Sequence, residues 1–295
     1  MTRNKNHLLA YFGHHKAAST WINSIIVDVC NNLGWKTSYV SNANMFNHNL
    51  KEFATLENVD FLCYTNADFL YVSALENFKG FHVIRDPRDL ITSAYFSHLY
   101  SHPITKHWPE LKEHRRQLKE LPKDEGIILE MKFSKRFLEE MYNWNYNMPN
   151  ILEIKMEYLA SNPYKNFLNI FDFLGVLNKN AGFKYYLFQL SNIIINKLNK
   201  KYKKYYFIPF QFSMDSIPAE RLLGIVFKNE FSILAKGRKI GDENAKSHYR
   251  KGVFGDWKNH FKQEHIEFFK DNYNEVLLKL GYESDPKWWG NLDRH

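Results

Sequence analysis

The sequence predicts an α/β protein: a central, mostly parallel β-sheet covered by helices, formed as a single domain over residues 1–295. Three observations carry this. Short apolar runs alternate along the chain with helical segments of 3.6-residue periodicity. The apolar runs are continuous and do not alternate with polar residues, as strands buried on both faces require. The 295 residues, 44% of them hydrophobic, suffice for a sizeable core and exclude disordered and fibrous classes.

The first run, Leu8 to Phe12, is a strand candidate, and the loop Gly13 to Ala18 leads into a helix that begins near Ser19. Its apolar face is Trp21, Ile22, Ile25, Ile26, Val29 and Leu33, with Gly34 as the stop. Val59 to Thr65 and Phe81 to Arg85 are further strands. Asp86-Pro87 then supplies an N-cap and a first-turn proline for a helix with Leu90, Ile91, Ala94, Tyr95 and Leu99 inward. Ile151 to Met156 reads as a strand, and Asn162-Pro163 opens a helix over Tyr164 to Leu174 closed by Gly175. Pro218 to Lys236 reads as one helix stopped by Gly237, and Lys262 to Leu280 as the terminal helix. Lys179 to Phe212 departs from the pattern: it is a basic, aromatic insert (Lys184, Tyr185, Tyr186, Lys197, Lys200, Lys201, Lys203, Lys204, Tyr205, Tyr206) that reads as a solvated face, a lid or a basic amphipathic surface.

Cys30 and Cys63 lie in apolar stretches with no zinc-type spacing, so they read as buried thiols, and no motif calls for a metal. No run approaches the roughly 18 apolar residues of a spanning helix, and the N-terminal run is too short for a secretory core. The expected location is therefore cytoplasmic. Forty Lys+Arg against 32 Asp+Glu give a net charge of +8. That excess fits a nucleic acid, an anionic membrane or a small polyanion, and its placement must decide.

Three constellations carry chemistry. The loop Gly13-His14-His15-Lys16-Ala17-Ala18-Ser19-Thr20-Trp21 follows a strand and enters a helix, where backbone N–H groups, two hydroxyls and a lysine suit an anion. It is not a nucleotide triphosphatase P-loop, because Lys16 precedes the hydroxyl pair. Arg85 and Ser93, eight residues apart, stand at a strand end and in the second turn of the next helix, so both can reach the same rim of the sheet. In Tyr249 to Phe261, the pair Arg250-Lys251 is followed by Gly252, Gly255, Trp257 and Phe261, which suggests a phosphate clamp anchored by buried rings.

At these three places, in order, the chain resembles the sulfotransferases that use 3'-phosphoadenosine 5'-phosphosulfate (PAPS) and release 3'-phosphoadenosine 5'-phosphate (PAP). The resemblance implies a P-loop-like sulfotransferase fold. It implies that Lys16, Ala17, Ala18, Ser19 and Thr20 hold the 5'-phosphate and sulfuryl group, with Trp21 beside the adenine. It places Arg85, Ser93, Arg250, Lys251 and Gly252 at the 3'-phosphate. Two alanines stand where the family has a small residue and then glycine, so the loop backbone is expected to keep angles that alanine tolerates. Met156 replaces a tyrosine near the adenine, and Asn66 stands where many cytosolic members carry a basic histidine.

Sulfuryl transfer leaves charge on the departing phosphate oxygen, a role for Lys16, and a base must take the acceptor's proton. With Asn66 excluded, the candidates are His15, Asp68 and His48. The acceptor is expected to be a small molecule, carbohydrate or lipid bearing a hydroxyl, less readily an amine, shaped by variable loops at Ser41–Leu56, His98–Gly126 and Lys179–Phe212. No nucleic-acid partner is expected; the insert leaves peripheral membrane contact open. The competing readings are a P-loop nucleotide kinase and a basic nucleic-acid or membrane-surface binder, the latter resting on the lysines of 197–204.

Overall fold

Leu8–Gly13 forms β1 because five successive residues, Leu9 to Gly13, are buried and only a strand covered on both faces accepts such a run. The computed structural model describes residues 7–106, 108–178, 182–202, 208 and 212–288. They fall into two compact units, one made of segments 1–13, 18–83 and 146–230, the other of 14–17, 84–145 and 231–295.

The first unit holds the sheet. With β2 (Thr37–Val40), β3 (Phe61–Thr65), β4 (Phe78–Ile84) and β5 (Ile151–Lys155), the strand order is β2-β3-β1-β4-β5. β1 pairs in parallel with both β3 and β4, setting Tyr11 between Cys63 and Phe81. The helix Ser19–Leu33 returns the chain across the sheet and buries Ile22, Ile25, Ile26, Val29, Cys30 and Leu33, ending at Gly34 in a left-handed conformation. The helices Pro163–Phe173 and Ala219–Lys228 add Phe167, Phe171, Leu222 and Val226 to the same core. Cys30 and Cys63 are free, buried thiols, as expected.

Several expectations are corrected in this unit. β2 carries polar residues on an edge strand and gave no apolar run to read. The fifth strand stops at Lys155, and Met156 opens the helix Met156–Ser161. The expected single helix Pro218–Lys236 breaks after Lys228, and a short turn, Phe231–Leu234, follows in the second unit. Asn229 makes the break: its buried amide donates to the Ile225 carbonyl at 3.0 Å and accepts from Ser24 Oγ at 2.6 Å, contacts that end the helical ladder there. Of the insert, Phe183–Tyr202 is a 20-residue helix, while Lys203, Lys204, Tyr205 and Tyr206 lie outside the described residues.

The second unit is helical. Asp86 caps the helix Pro87–Phe96 by accepting from Arg88 N at 2.9 Å, as the Asp-Pro pair predicts. The helices Glu110–Glu120, Lys123–Phe133, Lys135–Asn143 and Gln263–Lys279 surround Leu111, Met131, Phe137, Ile266 and Phe269. His98–Gly126 is therefore no open variable loop: it contains a wide helical turn at Ser97–Ser101 and one whole helix, with His98, Leu111, His114 and Leu118 buried.

Candidate active site

The first unit carries the hydroxyl half of the leading loop. Gly13 is packed so closely that a Cβ would lie 2.3 Å from Tyr11 Oη and 3.0 Å from Ser19 Oγ. Those two hydroxyls are 3.1 Å apart and bond to each other, which holds Ser19 at the start of its helix. Thr20 is exposed, and Trp21 packs edge-on to Phe167 with centroids 5.4 Å apart. Ala18 has φ +60° and ψ +24°, a left-handed conformation, and caps the helix without a side-chain bond. The expectation of alanine-tolerated angles is thus overturned at Ala18, which sits in the left-handed region at a cost of about 1 kcal/mol.

Asn66 also has positive φ, which asparagine tolerates, and its amide donates to the Ser41 carbonyl at 3.3 Å. Of the candidate bases here, Asp68 caps the turn Phe69–Val72 by accepting from Leu70 N at 2.9 Å. His48 is exposed, with Nδ1 2.9 Å from Tyr71 Oη and Nε2 3.2 Å from Asn44 Oδ1. Both side chains are already engaged in local structural roles.

The second unit gathers the cations. Lys16 is in the left-handed region, and its carbonyl accepts from Arg85 Nη1 at 3.0 Å, while Arg85 Nε is buried without a hydrogen bond. Burial lowers Lys16 to about 8; the positive charges of Arg85 and Arg250 push the same way, against Glu130. Ser93 lies one turn beyond Asp89 and one turn before Phe96 on its helix. The loop of residues 250–257 covers that face: Asp89 accepts from Gly255 N at 2.6 Å and Trp257 N at 3.0 Å, and the Arg250 guanidinium stacks 4.5 Å over Phe96.

Gly252, at φ +71°, faces the Phe231 ring so closely that a Cβ would stand 2.8 Å away. No other residue fits there. Arg250 and Lys251 both pair with the buried Asp256, Lys251 at 2.7 Å, and Asn259 and His260 complete its shell. Against the upward push of burial, hydrogen bonds from His260, Lys251, Asn259 and Arg250 hold Asp256 far below the usual carboxylate range, and the pairing fixes both cationic heads. Arg88, between Trp257 at 4.1 Å and Trp288 at 4.7 Å and paired with Asp86 and Glu283, anchors the loop from beneath. Asp89 and Asp256 were not singled out from sequence. The only signal of Asp256 was its place in the Gly-Asp-Trp run.

His15 belongs to this unit and is buried, stacked on Phe137 at 4.2 Å. Its Nε2 is 3.0 Å from His98 Nε2, and His98 Nδ1 is 2.9 Å and 3.0 Å from the two oxygens of Glu130. Glu130 has no exposed surface and also bonds His114 at 2.8 Å and Ser134 at 2.6 Å. Against the upward push of burial, the contacts with His98 and His114 hold its carboxyl below the usual carboxylate value. Burial lowers His98, so it is neutral at pH 7, donates Nδ1–H to Glu130 and presents an Nε2 lone pair. His15 must then donate Nε2–H to it, which leaves the His15 lone pair on Nδ1, free of hydrogen bonds among the described residues. Burial first, then His98 and Lys16, hold His15 well below the ordinary histidine value, so that lone pair stays unprotonated. His98, His114 and Glu130 were not predicted; separated by 16 to 32 residues, they leave no local pattern.

Residues 227–281 match the family model described as a sulfotransferase domain. Among solved structures, mouse sulfotransferase SULT7A1 complexed with PAP aligns over 94% of this chain and 88% of its own, at 14% identity and a TM-score of 0.54. The chain has the sulfotransferase fold. A second match is retinol dehydratase in complex with androsterone and inactive cofactor PAP, at 13% identity over 91% of this chain and 80% of that one, with a TM-score of 0.47. No curated protein sequence matches. Within the sulfotransferase fold, the matched segment contains the whole Arg250 to Phe261 loop, in which Gly252 has no room for a Cβ and Trp257 and Phe261 are buried.

Proposed function

We propose that the protein moves a sulfuryl group from PAPS to a hydroxyl of a small-molecule, carbohydrate or lipid acceptor, and releases PAP. The observation that carries this reading is the cation group of the second unit. Arg85 Nη1 donates to the Lys16 carbonyl at 3.0 Å; burial lowers Lys16 to about 8, and the charges of Arg85 and Arg250 push the same way, against Glu130. Such a concentration of positive charge is suited to a compact polyanion.

In this reading Arg85, Ser93, Arg250, Lys251 and the Gly252 backbone serve the 3'-phosphate. Lys16, Ala17, Ala18, Ser19 and Thr20 serve the phosphosulfate, and Trp21 serves the adenine. The acceptor hydroxyl gives its proton to His15 Nδ1 as the new oxygen–sulfur bond forms and the bond from sulfur to the 5'-phosphate oxygen breaks. Lys16 meets the charge developing on that oxygen, which is where a fixed cation lowers the barrier most. The imidazolium left at His15 can pass its Nε2 proton to His98, whose new charge faces the Glu130 carboxylate. The chain His15–His98–Glu130 thus supplies the base that Asn66 cannot.

The test is transfer of radiolabelled sulfate from PAPS across a panel of sugars, phenols and lipid alcohols. Magnesium-independent transfer that falls steeply in Lys16→Met is expected. Phosphoryl transfer from ATP that requires magnesium would replace this reading with a kinase.

A further inference from the structure

The helix Phe183–Tyr202 packs Tyr185 and Phe188 against the core of its unit and, farther along, turns amides inward. Asn192 is buried, donates to the Phe212 carbonyl and accepts from Phe212 N, both at 2.8 Å, and Asn199 makes the same paired contact with Ile208 at 2.9 Å and 2.7 Å. Gln189 also turns toward the body of the first unit and bonds Asn32 at 2.7 Å. The outward stripe is apolar. Phe183, Leu187, Leu190, Ile194 and Leu198, spaced by three or four residues, are 83%, 47%, 56%, 49% and 37% exposed. Among the described residues nothing covers this stripe, and an outward apolar stripe of this length calls for an apolar partner.

Charge identifies the partner. The helix contains four lysines and no carboxylate, and Lys197 and Lys201 lie exposed beside the C-terminal end of the stripe. A second copy of the chain would bring the same helix, with no acid along it to answer those lysines. The face is a single convex helix, not a groove for a peptide. An exposed apolar stripe, with three of the four lysines gathered at its C-terminal end, suits the boundary between headgroups and acyl chains of an anionic bilayer. Among the described residues no helix is long and apolar enough to cross a membrane. We infer that Phe183–Tyr202 lies flat on anionic lipid, with Leu187, Leu190 and Ile194 in the acyl boundary and Lys197 and Lys201 on the headgroups.

The proposal is independent of the sulfuryl-transfer reading, because its test needs neither donor nor acceptor. The full chain is sedimented with vesicles of phosphatidylcholine alone and of phosphatidylcholine with phosphatidylserine, at physiological salt. Binding to the phosphatidylserine vesicles only is expected. Lys197→Gln with Lys201→Gln should reduce partitioning about thirtyfold, and Leu190→Gln with Ile194→Gln should abolish it while circular dichroism and the melting temperature stay at wild-type values. Absence of binding to phosphatidylserine vesicles overturns the proposal, as does equal binding to both vesicle types. A dimer in sedimentation velocity that Leu190→Gln with Ile194→Gln dissolves assigns the face to a second copy and overturns it too.

Discussion

Two adjacent alanines in the leading loop should respond to glycine with opposite signs. Ala18 holds φ +60°, where a Cβ crowds the backbone, and it forms no side-chain cap that glycine would lose. Relief of the left-handed conformation is worth about 1–2 kcal/mol, and the added freedom of the unfolded chain takes back roughly 0.5–1. Ala18→Gly should therefore stabilise by about 0.5–1 kcal/mol. Ala17 is fully buried and is not among the residues of positive φ. Its glycine variant loses a buried methyl, about 0.8 kcal/mol, and the same backbone entropy, so it should destabilise by about 1–2 kcal/mol. Urea unfolding of the two variants beside wild type reads both numbers, and a gap of about 2 kcal/mol between neighbouring positions is expected. Destabilisation by Ala18→Gly as large as that by Ala17→Gly would show that Ala18 carries no strain.

Arg250→Ala should weaken PAP binding by about 1.5–3 kcal/mol and Ser93→Ala by about 1, with 5'-AMP binding nearly unchanged in both, measured by calorimetry; equal losses for the two nucleotides would point to disruption of the fold. Lys16, lowered to about 8, is largely neutral at about pH 9, and a bound polyanion raises it again, so PAP binding should take up close to one proton at that pH and almost none near pH 6. Calorimetry in buffers of different ionisation enthalpy reads the uptake, and its absence at about pH 9 would contradict the placement of Lys16. His15→Asn should lower turnover by about 10²–10⁴, whereas His48→Asn and Asp68→Asn should leave it close to wild type. Because burial holds His15 well below its ordinary value, the acidic limb of the wild-type pH-rate profile should lie below about pH 6.5 and vanish in His15→Asn.

What was legible in the sequence was local. The strand before the Lys16 loop, the Gly34 stop, the Asp86-Pro87 cap and the inward residues of the last helix each depend on neighbours within one or two turns, so short-range patterns reveal them. The loop of residues 250–257 was readable for the same reason, since Gly252 and the rings at 257 and 261 sit in one short run. What was missed depends on distant partners. β2 is a half-exposed edge strand, the break at Asn229 is made by a serine 205 residues away, and Glu130 collects His98 and His114 from separate elements. Asn192 and Asn199 faced inward against the ordinary polarity of a helix, so periodicity alone could not give its orientation.

The central claim is recognition of a 3'-phosphorylated donor, and calorimetry of PAP against 5'-AMP on the wild-type chain tests it most directly. PAP should bind more tightly by at least the contribution of one charge-assisted phosphate contact, roughly 1.5–3 kcal/mol, and the advantage should shrink in Arg250→Ala. Equal affinity for the two nucleotides, or no binding of either, would contradict the assignment of Arg85, Ser93, Arg250 and Lys251 and with it the proposed donor.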